Sequence, residues 1–267
     1  MIDLHTHSYF SDGQDSYEKL IQKANKLELS AFSIADHNYL WPQAREYVGK
    51  AGTTFIPGVE ISCVDSDTKQ TLHLLGYSAH FDVEKLNQTL EPIVDGYNER
   101  AKRIIQFVNK QFGSHLAFEQ MFHAGRAVFV SRNAIAGALV DANIIPSMAE
   151  AARAAFVPGE NNDWMPNAGD AIKLVRECGG VAVLAHPGNL FSKLDVHKLI
   201  TQLADAGLAG IEAYYPKHDA EKTETLLALA LQNNLFVTGG SDWHGDGYSH
   251  APMGVDVSPD ISKIMNT

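Results

Sequence analysis

Residues 1–13 read MIDLHTHSYFSDG. Residues 2–5 have the apolar character of a short buried strand, and His5 and His7 stand at i and i+2 where it ends. On an extended chain that spacing sends both imidazoles to one face. Imidazole is the commonest protein ligand for first-row metals. Asp12, in the turn before Gly13, adds a carboxylate. Alone, a His-x-His pair is equally well a solvated pair beside a frayed terminus. The rest of the chain separates the two readings.

Ser16 is the predicted N-cap of a helix reaching about Leu27, with Leu20, Ile21 and Ala24 on one face. A second strand, residues 31–35, runs into Asp36-His37-Asn38. Pro42 suits the first turn of a helix over residues 43–48. A third strand, residues 53–61, carries Glu60 at its end, and a fourth, residues 71–77, contains His73. Residues 83–112 read as helix with Tyr97, Ile104, Ile105 and Val108 on the apolar face; residues 113–166 read as short helices and turns, with a Pro158-Gly159 turn near their close. Alternation then resumes. A helix over residues 168–177 leads to a strand, 181–185, that closes on His186-Pro187-Gly188. A helix over 194–206 leads to a strand at 210–214, and a helix over 220–233 to a strand at 235–239 followed by Ser241-Asp242-Trp243-His244. Seven strands alternating mostly with helices predict an α/β barrel. Residues 1–94 and 166–267 form it, and residues 95–165 are an inserted helical lid.

Composition bounds the function. The chain has 267 residues, 45% hydrophobic and 20% charged, which suits one large α/β domain or two small ones. A net charge of -11 argues against broad binding to duplex nucleic acid or an anionic membrane, though not against a small anion held by local positive charge. Cys63 and Cys178 fit no disulfide framework or Cys-x-x-Cys knuckle, which points to a reducing compartment. No signal peptide is visible, and the apolar stretch 134–145 is broken by Asp141, so a cytoplasmic protein is expected.

Twelve histidines in an acidic chain are the unusual feature. His5, His7, His37, Glu60, His186, Asp242 and His244 all fall at the ends of predicted parallel strands, where barrel enzymes place their active sites. Unpaired polar groups there are costly, so their repetition points to a shared partner. Asp242 and His244 repeat the spacing of His5 and His7, and His73 can face the mouth of the barrel from within its strand. The mixture of nitrogen and oxygen donors suits manganese, iron or zinc rather than a thiolate-rich structural site. Ser241 lacks a Ser-His-Asp setting apart from these residues, which excludes serine hydrolase chemistry.

Taken in order, His5-Thr6-His7 with Ser11-Asp12-Gly13, Asp36-His37-Asn38, Gly58-Val59-Glu60, residues 73–77 (HLLGY), His186-Pro187-Gly188 and Ser241-Asp242-Trp243-His244 resemble the PHP family of polymerase-associated and histidinol-phosphatase domains. The resemblance implies a distorted seven-stranded β/α barrel with two to three divalent ions used for phosphoester hydrolysis. By position, His5, His7, Glu60 and Asp242 would hold one ion, Glu60, His73 and His186 a second, and Asp12, His37 and His244 a third. Metal-activated hydroxide would attack phosphorus.

The insert resembles one branch of that family. Ser131-Arg132-Asn133, residues 136–140 (AGALV), Ala155-Phe156, and residues 210–214 (GIEAY) followed by His218 look like the branch that hydrolyses nucleoside 3′,5′-bisphosphates and short RNA from the 5′ end. Arg132, Asn133 and His218 then become phosphate contacts. Arg132 and His218 join Glu60 and Asp242 as the catalytic set, the planar fork of Arg suiting phosphate. The expected partner is a small phosphorylated nucleotide or short RNA, with no duplex DNA and no membrane. Two rivals are a phosphatase of a non-nucleotide phosphomonoester such as histidinol phosphate, and a non-catalytic metal-binding accessory module. Asp36 is expected to orient His37 or cap a loop. Tyr9, Phe10 and Trp41 are expected to pack a wall rather than stack on a base. His80, His115, His123, His197 and His250 read as surface residues, with His123 and His250 within possible reach of the lid.

Overall fold

A seven-stranded sheet in the order β1-β2-β3-β4-β5-β6-β7 frames the computed structural model. The structure describes residues 1–49, 52–122, 126–157, 159–246, 249, 251–257 and 261–265; Pro158, His123 and His250 lie outside the described residues. The strands are β1 (Ile2–Asp3), β2 (Ala31–His37), β3 (Thr54–Val64), β4 (Thr71–Tyr77), β5 (Val181–Leu184), β6 (Gly210–Tyr214) and β7 (Phe236–Gly239). The ends of the sheet meet through the Leu4 amide donating to Gly239 O at 3.1 Å and an Ile2–Val255 bridge, so the sheet nearly closes into a barrel.

Three details depart from the sequence reading. β4 runs antiparallel to both β3 and β5, whereas the other paired strands are parallel. Only residues 65–70 join β3 to β4, and a parallel return needs a crossover of about a dozen residues or more. A turn is built there instead, with Asp65 Oδ2 accepting from the amide and hydroxyl of Thr68 at 2.8 and 2.6 Å. β3 also runs on to Val64, so Glu60 lies within it and not at its end. The segment after Trp41 is a 3-10 helix, Pro42–Tyr47, not an α-helix.

Helices α1 (Tyr17–Lys26), α2 (Val83–Phe112), α3 (Arg132–Asp141), α4 (Met148–Ala154), α5 (Ala168–Glu177), α6 (Val196–Asp205) and α7 (Ala220–Gln232) complete the fold. Their starts are set by side-chain caps: Ser16 accepts from Lys19 N, Asn167 from Asp170 N and Asp219 from Lys222 N. Strand period 2 then sorts the side chains. Phe32, Ile34, Val59, Ile61, Leu72 and Leu74 face the helical layer. Ala31, Ala35, Ile56, Leu75 and Val183 belong to a second cluster on the opposite face. Glu60, two pairs on from Ile56, and His73, one pair before Leu75, share the parity of that inner face.

α2 serves both parts of the molecule. Leu86, Leu90 and Ile93 join the barrel's cluster, while Ala101, Ile104, Ile105 and Val108 join a separate cluster with Ile135, Ala136 and Leu139 of α3 and Ala151 of α4. Among the described residues, no helix is long and apolar enough to cross a membrane.

Candidate metal centre

Glu60 is the hub. It is fully buried, and its two oxygens face different histidines. Oε1 lies 3.0 Å from His73 Nδ1 and 3.2 Å from His186 Nε2. Oε2 lies 3.2 Å from His5 Nε2, 3.3 Å from His7 Nε2 and 3.1 Å from His37 Nδ1. Because β4 is antiparallel, its beginning reaches the mouth of the barrel, which is where His73 stands. Asp242 Oδ1 approaches His7 Nε2 at 3.2 Å and His5 Nε2 at 3.6 Å. Asp12 Oδ1 is 3.2 Å from His244 Nε2 and 3.9 Å from His37 Nε2.

Ligand atoms within 4.8 Å of one another form three groups: His5, His7, Glu60 and Asp242; His7, Asp12, His37 and His244; and His37, Glu60 and His73. The last differs from the set implied by the family resemblance, which has His186 in place of His37. His186 meets the same oxygen, Glu60 Oε1, as His73.

These residues fit divalent ions. His5 Nε2, both nitrogens of His7, Asp12 Oδ1, His37 Nδ1 and Glu60 Oε2 are buried without a hydrogen-bond partner, although buried polar groups are normally satisfied. They converge on common points, and imidazole nitrogen with carboxylate oxygen is the donor set that such ions take. The same crowding sets the charge of these groups. Burial, with His244 and His37 nearby, pushes His7 down to about 3 and keeps it neutral. Burial opposes charge on Glu60 as well, but His5, His37 and His73 outweigh it and hold that carboxyl well below its usual range. Burial likewise opposes charge on His244, yet Asp12 and Asp242 raise it to about 10.

Two buried aspartates pin the segments that bring these ligands in. Asp36 accepts from the Ser8 amide at 2.8 Å, the Ser8 hydroxyl at 2.6 Å and the Ser11 hydroxyl at 2.6 Å. It therefore caps the loop that carries Asp12. That loop closes so tightly that a Cβ on Gly13 would sit 2.1 Å from His7 O. Asp3 does the same for the segment at 241–244, accepting from the Ser241 amide at 2.9 Å and hydroxyl at 2.6 Å, and from the Gly254 amide at 2.7 Å. Burial pushes both Asp3 and Asp36 up to about 6.

A cavity of about 600 Å³ opens above the centre, with Met121, Phe122, Phe129, Asn133 and Gly137 on its lid side. Its size falls within the range of small-molecule sites. Arg132 does not line it. Its Nη2 donates to Glu160 Oε2 at 2.6 Å, and the guanidinium lies over the Phe156 ring at 5.4 Å. His218, expected as a phosphate contact, is hydrogen-bonded within the protein. Its Nδ1–H donates to Ala213 O at 2.9 Å and its Nε2 accepts from the Gly188 amide at 3.0 Å, which occupies both nitrogens. Phe10 stacks on Trp41 at 5.4 Å and both pack against the barrel's cluster, while the Tyr9 hydroxyl accepts from Arg126 Nη1 at 2.7 Å.

Sequence reading missed Asp3, Glu212 and Tyr215. The Tyr215 hydroxyl donates to Asp242 Oδ2 at 3.1 Å, and Glu212 contacts His5 and His186. For Glu212 the available signal was an acid at an inward parity of a buried strand, which needs a partner.

Residues 3–108 match the PHP domain model. A phosphoribosyl 1,2-cyclic phosphate 1,2-diphosphodiesterase of Eggerthella lenta is 31% identical over 91% of this chain and 94% of its own length. The 5′-3′ exoribonuclease Rnm of Escherichia coli (strain K12) is 30% identical, over 91% of this chain and 84% of its own. A 3′,5′-nucleoside bisphosphate phosphatase of Chromobacterium violaceum is 26% identical, over 95% and 90%. In structure, a Bifidobacterium adolescentis protein assigned as a metal-dependent phosphoesterase superposes with a TM-score of 0.85 at 28% identity, covering 98% of this chain and 94% of that one. Likeness along nearly the whole length, over a barrel with histidines and carboxylates gathered at its mouth, means that the chain belongs to the PHP family.

Proposed function

We propose that this protein is a metal-dependent phosphoesterase acting on a phosphate ester carried by a small nucleotide, either a nucleoside 3′,5′-bisphosphate or the 5′ end of a short oligoribonucleotide. The observation that carries the proposal is the convergence of His5, His7, His37, His73 and His186 on the two oxygens of Glu60 beneath the cavity. His5, His7, Glu60 and Asp242 are proposed to hold one ion, Glu60, His73 and His186 a second, and Asp12, His37 and His244 a third. Bound there, divalent ions supply Lewis acidity toward phosphoryl oxygen and make water acidic enough to react near neutral pH.

The chain's own residues do the rest. Glu60 and Asp242 fix the relative placement of the histidines through single carboxylates. Met121, Phe122 and Phe129 give the cavity an apolar side that excludes bulk water from the ester. Residues 95–165 are proposed as the lid, with Asn133 and Arg132 as contacts for a phosphate that is not being cleaved. Arg132 reaches that phosphate by exchanging it for Glu160. His218 is proposed to brace the His186-Pro187-Gly188 turn. The names of the relatives support a nucleotide or ribose phosphate over histidinol phosphate, and the complete set of donors supports catalysis over an accessory role. The buried free thiols of Cys63 and Cys178 suit a cytoplasmic protein.

The test combines metal analysis with a substrate panel. Elemental analysis of freshly purified protein is expected to find about two to three Mn, Fe or Zn ions per chain, as three or four ligands per ion imply. Chelation should abolish phosphate release from nucleoside bisphosphate and 5′-phosphorylated RNA, and added metal should restore it. Full activity after chelation would sink the proposal. Preference for histidinol phosphate over every nucleotide would move it to the other substrate class.

A further inference from the structure

We infer that Glu212 is a positioning residue for the metal centre, fixing the tautomer of His5 and the backbone turn of His186. The inference rests on the metal-centre reading above. Glu212 lies in β6, fully buried, with the inward parity of that strand. Its Oε1 and Oε2 lie 3.1 and 3.3 Å from His5 Nδ1, and Oε2 also accepts from the His186 amide at 2.8 Å. One carboxylate thus ties β1 to the turn after β5.

The consequence for His5 is chemical. A carboxylate accepts, so Nδ1 carries the hydrogen. Nε2, the nitrogen 3.2 Å from Glu60 and 3.6 Å from Asp242, then presents its lone pair to the centre. A histidine left free could turn either nitrogen inward. The carboxylate also raises the ring's basicity as a ligand, and removing such a partner typically costs about 10- to 100-fold in metal affinity.

The consequence for His186 is conformational. Its φ of 32° and ψ of 51° are left-handed, a conformation that non-glycine residues hold only where the surroundings enforce it. The hydrogen bond from its amide to Glu212 is one such constraint. Gly240 keeps the arrangement possible, since a Cβ there would sit 2.3 Å from His5 Cβ and 2.9 Å from Glu212 Oε1. β6 itself supplies none of the proposed ligands. Its end nevertheless braces others, through Glu212, through Tyr215 on Asp242, and through Ala213 and His218 on the Gly188 turn.

Glu212→Gln tests this with cobalt(II) as the probe and no substrate present. The amide has one acceptor oxygen for two donors. Where its NH₂ faces His5, the ring must accept at Nδ1 and carry its hydrogen on Nε2. Cobalt affinity is expected to fall by about 10- to 100-fold for the ion held by His5, with a changed visible spectrum. The ion held by Asp12, His37 and His244 should keep its affinity. Glu212→Asp, which keeps the carboxylate, should recover part of the loss. Wild-type affinity and spectrum in Glu212→Gln would overturn the inference. So would a loss spread equally over all sites, which marks a general folding defect. If the variant does not fold, ¹⁵N-histidine spectra of the zinc-loaded wild type decide. Hydrogen on His5 Nδ1 supports the inference, and hydrogen on Nε2 overturns it. Failure of the wild type to bind cobalt or zinc at all would instead overturn the metal-centre reading.

Discussion

Replacing Arg132 separates the nucleotide assignment from the metal chemistry. Arg132 opens α3, and its neighbours Ser131 and Asn133 line the cavity while its own guanidinium is turned onto Glu160. The Arg132 side chain is 32% exposed and that of Glu160 only 8%, so the pair sits at the edge of the lid rather than in open solvent. A charge-assisted contact to a phosphate is worth about 1.5–3 kcal/mol, or roughly 10- to 150-fold in affinity. Arg132→Ala should lower kcat/KM by that factor for a nucleoside 3′,5′-bisphosphate, and far less for an aryl phosphate that has no second phosphate. Arg132→Lys should recover only part, since the charge survives without the bidentate fork. Glu160→Gln removes the competitor. Freeing Arg132 from a partner this well buried should raise kcat/KM for the bisphosphate and leave the aryl phosphate unchanged. Steady-state kinetics of the four proteins on both substrates make the comparison. An equal loss on both substrates in Arg132→Ala would place the residue in lid folding or on the reacting phosphate. No loss on either would refute the subsite and leave the nucleotide assignment to the relatives alone.

Glu60→Gln keeps the shape of the hub but removes the charge that faces five imidazoles. Turnover should fall at least about 10²-fold, with metal lost from more than one position; near-normal turnover and metal content would remove Glu60 from the hub. His218→Ala strips the partner from both Gly188 N and Ala213 O. Each buried group left unpaired costs about 1–3 kcal/mol, so the melting temperature should drop and kcat should fall alike on all substrates. A rise in KM confined to nucleotides, at unchanged melting temperature, would return His218 to phosphate binding.

What the sequence made legible is what periodicity and short-range chemistry encode. The helix at Ala168–Glu177 and the strands at Thr71–Tyr77 and Gly210–Tyr214 have the bounds that their patterns suggest. The direction of β4 was not legible from its residues, because alternation reads the same both ways; only the short loop before it constrained the answer. The extension of β3 through Ser62, Cys63 and Val64 was missed because a carboxylate at Glu60 resembled a strand end. At the site, histidines and carboxylates at strand ends announce themselves through the cost of burying them. Asp3 and Tyr215 act through other side chains, so nothing in their local sequence declares a partner, whereas Glu212 could have been picked out as an acid on the inner face of a buried strand. Glu160 lies far from Arg132 in the chain, and no spacing rule could have paired them. The boundary placed near residue 95 falls inside α2, which continues unbroken while its apolar face passes from the barrel's cluster to the lid's.

Charge explains why an acidic protein is suited to an anionic substrate only through its metal centre. The cavity is lined by Asp12, Glu60, Asp242 and, at its rim, Asp141, and its described lining includes no lysine or arginine. Arg132, the cation proposed for substrate, is held by Glu160. A phosphate entering such a pocket meets carboxylates, and the overall charge of -11 adds to the repulsion. Three divalent ions would bring about +6 against the -3 of Asp12, Glu60 and Asp242, and the charge of bound ions dominates a site of this kind. On the proposed reading the ligand set would have two tasks, holding ions and reversing the sign of the pocket. The buried braces would serve both, since a histidine turned away from the centre would lose an ion and leave an acidic surface where the proposed substrate binds. That dependence gives a physical reason for committing so many buried groups, among them Asp3, Asp36 and Glu212, to orienting side chains and loops that they never replace in the chemistry.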